Sequence, residues 1–173
     1  MSKARKYVYA KLGYMETDDM VVVQEGYEHE FPILPRRRAQ LEREIIIKDE
    51  AIIGGDVFGL RALIGRRCKI LGSVFGKSQL RIMDGTRVYG FAASSSLVEC
   101  GNEVMVDGGV LGTRVMIGNM CKIGKYIIGR KGVIVGQNCD LSDCTVICLN
   151  GDVRIGSGTK VFDVIAKGNV ELD

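Results

Sequence analysis

The stretch from Val115 to Val161 repeats one short phrase three times. The copies are Ile117–Ile123 (IGNMCKI), Val135–Leu141 (VGQNCDL) and Ile155–Val161 (IGSGTKV). Each copy begins with an aliphatic residue and a glycine, has a small residue at its fifth place and ends on an aliphatic residue. Self-similarity at a short period is the sequence signature of a repeat architecture.

The phrase extends towards the N-terminus. Ile64–Ile70 (IGRRCKI) is a further close copy, and looser copies lie at Ile46–Ile52, Ile82–Val88 and Val98–Val104. The first positions are therefore 46, 64, 82, 98, 117, 135 and 155, and Leu172 begins an eighth copy. The sequence predicts about seven coils of 16–20 residues each.

Each repeat reads as strand rather than helix. Short β-branched pieces such as Val133-Ile134-Val135 are bounded by glycine or small polar residues, which is typical of strands. Three aliphatic positions per coil are expected to point inwards, as in the sets Ile64, Ile70, Val74; Ile117, Ile123, Ile127; and Ile155, Val161, Ile165. The predicted fold is all-β: a single-stranded β-helix of triangular section, with coils ~4.8 Å apart. Glycine is expected at the corners, where it tolerates a positive φ.

Residues 1–44 lie outside the repeat, and residues 45–173 form the predicted β-helix domain. The first segment contains two candidate strands, at Tyr7–Tyr9 and Met20–Val23. Exposed sheet edges invite aggregation unless something covers them, so one interpretation makes the segment a cap on the first coil. The other makes it a mobile tail.

Composition excludes several classes of function. Among 173 residues there are 23 glycines, two prolines and no tryptophan, and the net charge is only +3, which does not indicate a nucleic-acid face. No segment approaches the ~20 apolar residues of a membrane span, and no apolar stretch follows the N-terminus as in a secretory signal. We expect a cytoplasmic protein, whose six cysteines follow the repeat instead of forming a disulfide framework.

Three glycine-rich phrases resemble a known family. They are Ile52–Gly59 (IIGGDVFG), Ile70–Gly76 (ILGSVFG) and Gly85–Gly90 (GTRVYG), which look like the V-x-G-D-V-x-G and G-A-x-V-x-G phrases of bactofilins. Bactofilins are polymer-forming cytoskeletal proteins, and the likeness covers about residues 45–172. It implies a right-handed β-helix that polymerises end to end without nucleotide and scaffolds other proteins, often at the inner membrane. The chain departs from the family in its longer, partly apolar N-terminal extension and in ending without a proline-rich tail.

The resemblance implies that copies join through apolar residues of a terminal coil, including an aromatic residue near the C-terminal end, which Phe162 matches. The predicted self-assembly interface is Val153, Ile155, Val161, Phe162, Val164, Ile165, Val170 and Leu172. Basic and tyrosine residues near the N-terminus offer a contact with anionic lipid, with a solvated tail as the alternative. They are Lys3, Arg5, Lys6, Tyr7, Tyr9 and Lys11. The expected partners are the chain itself, a membrane surface and envelope or scaffold client proteins.

Two rival functions stay open: a β-helix binding module that does not polymerise, and a protein like the hexapeptide-repeat acyltransferases. Those enzymes use a histidine as general base, whereas the single histidine here, His29, lies outside the repeat and is expected on the surface without a pocket. Cys68, Cys121 and Cys139 share a repeat position with Thr86, Asn102 and Thr159, which indicates a packed column, with a soft-metal site as the alternative. We predict no catalytic residue, no cofactor, no metal and no small-molecule substrate.

Overall fold

A computed structural model of the protein describes residues 8–173, which form 20 strands and one short 3₁₀ turn at Arg38–Gln40. No α-helix occurs among the described residues. The strands are β1 Val8–Lys11, β2 Tyr14–Thr17, β3 Met20–Val23, β4 Glu28–His29, β5 Glu44–Ile47, β6 Ile52–Ile53, β7 Val57–Ile64, β8 Lys69–Ile70, β9 Val74–Ile82, β10 Arg87–Val88, β11 Ala92–Ser94, β12 Leu97–Cys100, β13 Met105–Val106, β14 Val110–Ile117, β15 Lys122–Ile123, β16 Tyr126–Val135, β17 Asp140–Cys148, β18 Asp152–Ile155, β19 Lys160–Ala166 and β20 Val170–Leu172.

From β3 onwards the strands stack in parallel on three faces, so the predicted β-solenoid is confirmed. The first face contains β3, β5, the second halves of β7 and β9, β12, the second halves of β14 and β16, β18 and β20. The second face contains β4, β6, β8, β10, β13, β15 and the starts of β17 and β19. The third face begins at Ile33 and continues through the starts of β7 and β9, β11, the starts of β14 and β16 and the ends of β17 and β19.

Alternation along each strand fills the interior with aliphatic side chains. In the coil that begins with the second half of β14, for example, Val115 and Ile117 point inwards from the first face, Ile123 from the second and Ile127 from the third, and all four are buried. Complete burial of each such side chain contributes about 1.5–3 kcal/mol. The core therefore runs unbroken along the axis of the solenoid.

The observed coil register is more regular than the predicted one. Pairing aligns, in successive coils, the inward residues Ile47, Ile64, Ile82, Cys100, Ile117, Val135, Ile155 and Leu172. The predicted first positions at Ile46 and Val98 were wrong by one and two residues. Ile46 points outwards because Ile45 and Ile47 point inwards, and Cys100 takes an inward place where an aliphatic residue was expected.

Glycine has a different role at the corners from the one expected. The same corner has a positive φ in eight successive coils, but glycine occupies it only at Gly26, Gly85 and Gly158. The other five residues there are Glu50, Arg67, Glu103, Met120 and Asn138. The glycine of the repeated phrase is needed for close stacking instead, because a Cβ on Gly118 would lie 2.4 Å from the carbonyl oxygen of Gly101 in the preceding coil.

Candidate assembly surfaces

The C-terminal coil presents apolar side chains at the end of the solenoid. Four side chains there are exposed, Phe162 by 73%, Ile165 by 54%, Val170 by 43% and Leu172 by 69%. Within residues 8–173, β19 pairs only with β17, and β20 pairs only with β18. The outer edges of both strands therefore carry unpaired backbone groups, which are a template for another strand. We call these four residues the C-terminal end surface.

The eight residues predicted for self-assembly divide into three groups. Val153 and Ile155 are buried in the core beneath β20. Val161 and Val164 are half-buried and pack against the core. The remaining four are the C-terminal end surface. The expected inward position of Ile165 was wrong: Val164 stacks on Val146 and points inwards, so Ile165 faces out.

On the first face, the N-terminal end of the solenoid is covered by the chain itself. β1 and β2 form an antiparallel hairpin, and β2 pairs with the outer edge of β3 on the first face. Tyr14 and Glu16 of β2 point inwards and are buried. Of the two interpretations of the N-terminal segment, residues 1–44, the pairing of residues 8–17 with the first face agrees with the cap.

A buried ion pair attaches this hairpin to the first coil. Arg43 is fully buried, and its Nη1 lies 2.5 Å from Oε1 of Glu16. The hydroxyl of Tyr14 donates a hydrogen bond of 3.1 Å to Oε2 of the same carboxylate. Burial, followed by the charge of Glu16, raises the pKa of Tyr14. Both carboxylate oxygens of Glu16 thus have a partner, as a buried charge requires.

His29 lies beside this hairpin and is not the freely exposed residue that the sequence predicted. Its ring is half-buried and stacks on Tyr14 with a centroid distance of 4.2 Å. Burial, followed by the charge of Lys11, lowers its pKa below 6.5. A cavity of about 210 Å³ opens next to it, lined by Tyr9, Lys11, Tyr14, Glu16, His29, Phe31 and Arg36. The imidazole is held in place by aromatic packing, and Glu16 in the same cavity is already paired with Arg43.

The cysteine column is a packed element of the interior. Sγ of Cys121 donates to the carbonyl of Gly101 at 3.1 Å, and Sγ of Cys139 donates to that of Gly118 at 3.2 Å. The column continues through Val104 and not through Asn102 as predicted, because the register in that coil differs by two residues. Burial raises the pKa of the nearby Cys100 thiol to about 12. The described residues contain no group of three or more His, Cys, Asp or Glu side chains suited to a metal ion.

Comparison with known proteins identifies no relative of this chain. No protein-family model, curated protein or solved structure matches the chain. The family resemblance therefore rests on the phrases at Ile52–Gly59, Ile70–Gly76 and Gly85–Gly90, and arguments about function rest on the geometry of the ends and faces.

The candidate membrane contact lies mostly beyond the described residues. Lys3, Arg5, Lys6 and Tyr7 fall outside them, while Tyr9 and Lys11 are exposed on β1. The hydrogen bond that Lys11 donates to the Tyr27 oxygen, followed by the electrostatic attraction of that oxygen, raises the pKa of Lys11. Among residues 8–173 no helix is long and apolar enough to cross a bilayer.

Sequence reasoning missed an apolar column on the outside of the third face. Its members stack in register from one coil to the next: Phe58, Phe75, Ala93, Leu111, Ile128, Ile147 and Ile165. The rings of Phe58 and Phe75 stack at a centroid distance of 5.1 Å. The sequence contained a signal for this column, because each of its members directly follows an inward residue of the third face. The column ends at Ile165, so it is continuous with the C-terminal end surface.

Proposed function

We propose that the protein is a non-enzymatic, self-assembling scaffold subunit that joins other copies of itself, without nucleotide, through the C-terminal end surface. The observation that carries this proposal is the exposure of Phe162, Ile165 and Leu172 at an end whose strand edges are unpaired within the described residues. Coil-on-coil stacking between molecules pairs those edges and removes the apolar side chains from water. The resemblance to bactofilins supports the same function.

The size of this surface is consistent with a reversible contact. If stacking removes ~400 Å² of apolar surface from water, the gross gain is about 10 kcal/mol at 25 cal/mol per Å². Lost translational and rotational freedom cancels much of it, since association costs an estimated 4–15 kcal/mol. We therefore expect contacts of about micromolar strength.

The covered N-terminal end limits the geometry of the contact. Because β2 occupies the outer edge of β3, with β1 beyond it, the C-terminal end surface of one copy is expected to meet that of a second copy. Such a contact is two-fold and self-complementary, and strands are antiparallel across it. End-to-end association alone then yields a pair, and a longer polymer needs a second contact.

The setting that we propose is cytoplasmic, at the inner face of the membrane, where the assembly holds envelope or scaffold client proteins. The basic residues near the N-terminus, together with exposed Tyr9 and Lys11 on β1, support a peripheral contact with anionic lipid. Each basic residue close to such a surface contributes about 1 kcal/mol.

The end contact is tested by Phe162→Arg, with Leu71→Arg as the matched control because Leu71 is also exposed but lies in the middle of the solenoid. Sedimentation velocity over a concentration series should show a lower weight-average mass for Phe162→Arg than for the wild type at each concentration where the wild type associates. Leu71→Arg should match the wild type, and circular dichroism should show all three proteins folded. An unchanged mass for Phe162→Arg would reject the end contact.

The same measurements address the two rival functions. A wild-type protein that stays monomeric throughout the series would favour the binding module that does not polymerise. Saturable binding of acyl-CoA that is lost in His29→Gln would favour the acyltransferase-like alternative, because His29 lines the cavity beside the hairpin.

A further inference from the structure

The outward column of the third face is apolar in every coil. Ile33 pairs with Val57, so Leu34 is the first member of the column. The outward columns of the other two faces are interrupted by charged residues, such as Arg81 on the first face and Lys122 on the second. A contiguous apolar surface that runs the whole length of a molecule is a feature of interaction sites. From Leu34 onwards the column contains Phe58, Phe75, Ala93, Leu111, Ile128, Ile147 and Ile165.

Two further columns border this apolar column from the coil of Phe58 to that of Ile165. The entry flank lies two residues before each column member and contains Asp56, Ser73, Phe91, Gly109, Tyr126, Thr145 and Asp163. The exit flank lies two residues after each column member and contains Leu60, Lys77, Ser95, Thr113, Arg130, Leu149 and Lys167. The charged members of the entry flank are all acidic, and those of the exit flank are all basic.

Two side chains from outside the flanks bring charges of the opposite sign. Nζ of Lys125 lies 5.8 Å from the centre of the Phe91 ring on the entry flank. Oε1 of Glu42 lies 3.8 Å from Nζ of Lys77 on the exit flank. The separation of sign is therefore clearest towards the C-terminal end of the face, where the flanks carry Arg130, Asp163 and Lys167.

An aromatic pair adds apolar surface to the entry flank. The rings of Phe91 and Tyr126 stack at a centroid distance of 6.0 Å, two coils apart. Gly109 lies in the coil between them, and a Cβ there would be 2.4 Å from the Tyr126 ring. The pair lies beside Ala93, the smallest member of the apolar column, so the apolar surface is widest where the column itself is least bulky.

We propose that the third face is a lateral interface with a second copy of this chain, packed face to face around a two-fold axis parallel to the solenoid axis. The two solenoids then run parallel, and symmetry brings each coil opposite the same coil of the second copy. The apolar column meets itself along its whole length. Each entry flank meets the exit flank of the second copy, so Asp163 faces Lys167 of the second copy. In the same way the Tyr126 ring faces Arg130 of the second copy, a cation–π arrangement.

Charge complementarity selects this orientation. A face-to-face pair with two-fold symmetry has its axis either along the solenoid or along the strands. An axis along the strands makes the solenoids antiparallel and sets each flank against its own kind, so no register brings an acidic flank residue opposite a basic one. The parallel pair has a single register, and none of its rows opposes like charges. Its least favourable row sets Asp56 against Leu60.

The area of the face is consistent with a reversible contact. The column is ~34 Å long from Leu34 to Ile165, and the two flanks lie ~13 Å apart, at ~4.8 Å per coil and ~3.3 Å per residue. A face of this size covers ~450 Å² on each copy, or ~900 Å² in total, which is close to the lower limit of about 1,000 Å² for a specific interface. We therefore expect a weak pair that forms at high protein concentration.

The lateral contact goes beyond the end contact and does not depend on it. The two surfaces are continuous, because Ile165 belongs to both the apolar column and the C-terminal end surface. In the lateral pair, both C-terminal end surfaces point in the same direction. They stay available for end contacts with further copies.

The test uses the full chain with Leu172→Arg, which places a charge in the C-terminal end surface but lies on the first face, away from the proposed interface. Sedimentation velocity from micromolar to millimolar protein should show a reversible dimer. In the same background, Ile128→Arg should abolish the dimer, because it places a charge inside the apolar column. Ile134→Arg is the matched control and should leave the dimer unchanged, since Ile134 is in the same strand as Ile128 but exposed on the first face. Circular dichroism should show every variant folded.

Exchange of charges at the last coil tests the pairing of the flanks. In the Leu172→Arg background, Asp163→Lys and Lys167→Asp should each raise the dimer dissociation constant about tenfold, because like charges then face each other in two rows. An equimolar mixture of these two variants should associate as strongly as the parent, and so should a chain that carries both substitutions. A combined variant that stays as weak as the single ones would overturn the proposed pairing.

Cross-linking tests the orientation. Phe75→Cys alone and Ile147→Cys alone should each be joined into a covalent dimer by a short bismaleimide, because each residue faces itself and the native cysteines are buried. A mixture of the two should give no mixed dimer, since the two positions lie ~19 Å apart along the face. Mixed dimers in place of self-linked ones would overturn the parallel orientation.

Two further outcomes would overturn the lateral contact itself. A Leu172→Arg protein that stays monomeric at every concentration would do so while leaving the end contact standing. A dimer that persists in Ile128→Arg, or is lost in Ile134→Arg, would show that the third face is not the surface that joins the copies.

Discussion

The two ends of the solenoid differ in how the outer strand edges of the terminal coil are covered. At the N-terminal end, the hairpin of β1 and β2 pairs with the edge of β3, and an inward Glu16 compensates the buried charge of Arg43. At the C-terminal end, Phe162 and Leu172 are exposed, and the edges of β19 and β20 have no strand beside them within the described residues. The coils themselves differ little, so in the assembly that we propose, what covers an end decides where association takes place.

The largest expected effect concerns the covered end. Glu16→Ala leaves Arg43 buried without a compensating charge, and breaking a buried pair in this way costs about 3–5 kcal/mol. We expect urea denaturation to report a loss of that size in the free energy of unfolding of the hairpin and first coil.

The control for this prediction is Glu44→Ala, which breaks the exposed ion pair between Glu44 and Arg61. Exposed pairs contribute about 0–1 kcal/mol, so this variant should unfold nearly as the wild type does. Equal losses in the two variants would mean that the buried pair does not hold the cover in place.

A smaller effect on the free energy of unfolding distinguishes buried from exposed residues at the C-terminal end. Ile155→Ala removes a buried side chain beneath β20 and should lower the free energy of unfolding by about 2–5 kcal/mol. Leu172→Ala, one coil further on in the same column, should change it by no more than about 0.5 kcal/mol, because Leu172 is exposed.

Leu172→Ala should also weaken association, because it removes apolar atoms from the C-terminal end surface. Sedimentation velocity should give a weaker association for this variant than for the wild type. A large loss of stability with unchanged association would show that Leu172 belongs to the core and not to the contact.

The repeated phrase was sufficient to predict the architecture, because its inward aliphatic residues and its period have a direct structural meaning. Ile117, Ile123 and Ile127 point inwards as expected. The register failed at Cys100, where a cysteine takes an aliphatic place, and at Ile46, where three adjacent isoleucines hide the alternation. The pairing between coils shows which residues point inwards in both places. The sequence of one strand taken alone does not show it.

The candidate surfaces were harder to predict than the core. Phe162 was identified through a family resemblance, and its exposure agrees with the role that we propose for it. The pairing of Glu16 with Arg43 was missed because the two residues are 27 positions apart and neither lies in a repeated phrase.

Hydrogen–deuterium exchange at a series of protein concentrations tests the difference between the ends most directly, since exchange reports the local opening and exposure of backbone amides. We predict that the amides of β19 and β20 become protected as the concentration rises, while those of β1 do not change. Protection that rises at β1, or amides of β20 that exchange at the same rate at every concentration, would contradict assembly through the C-terminal end.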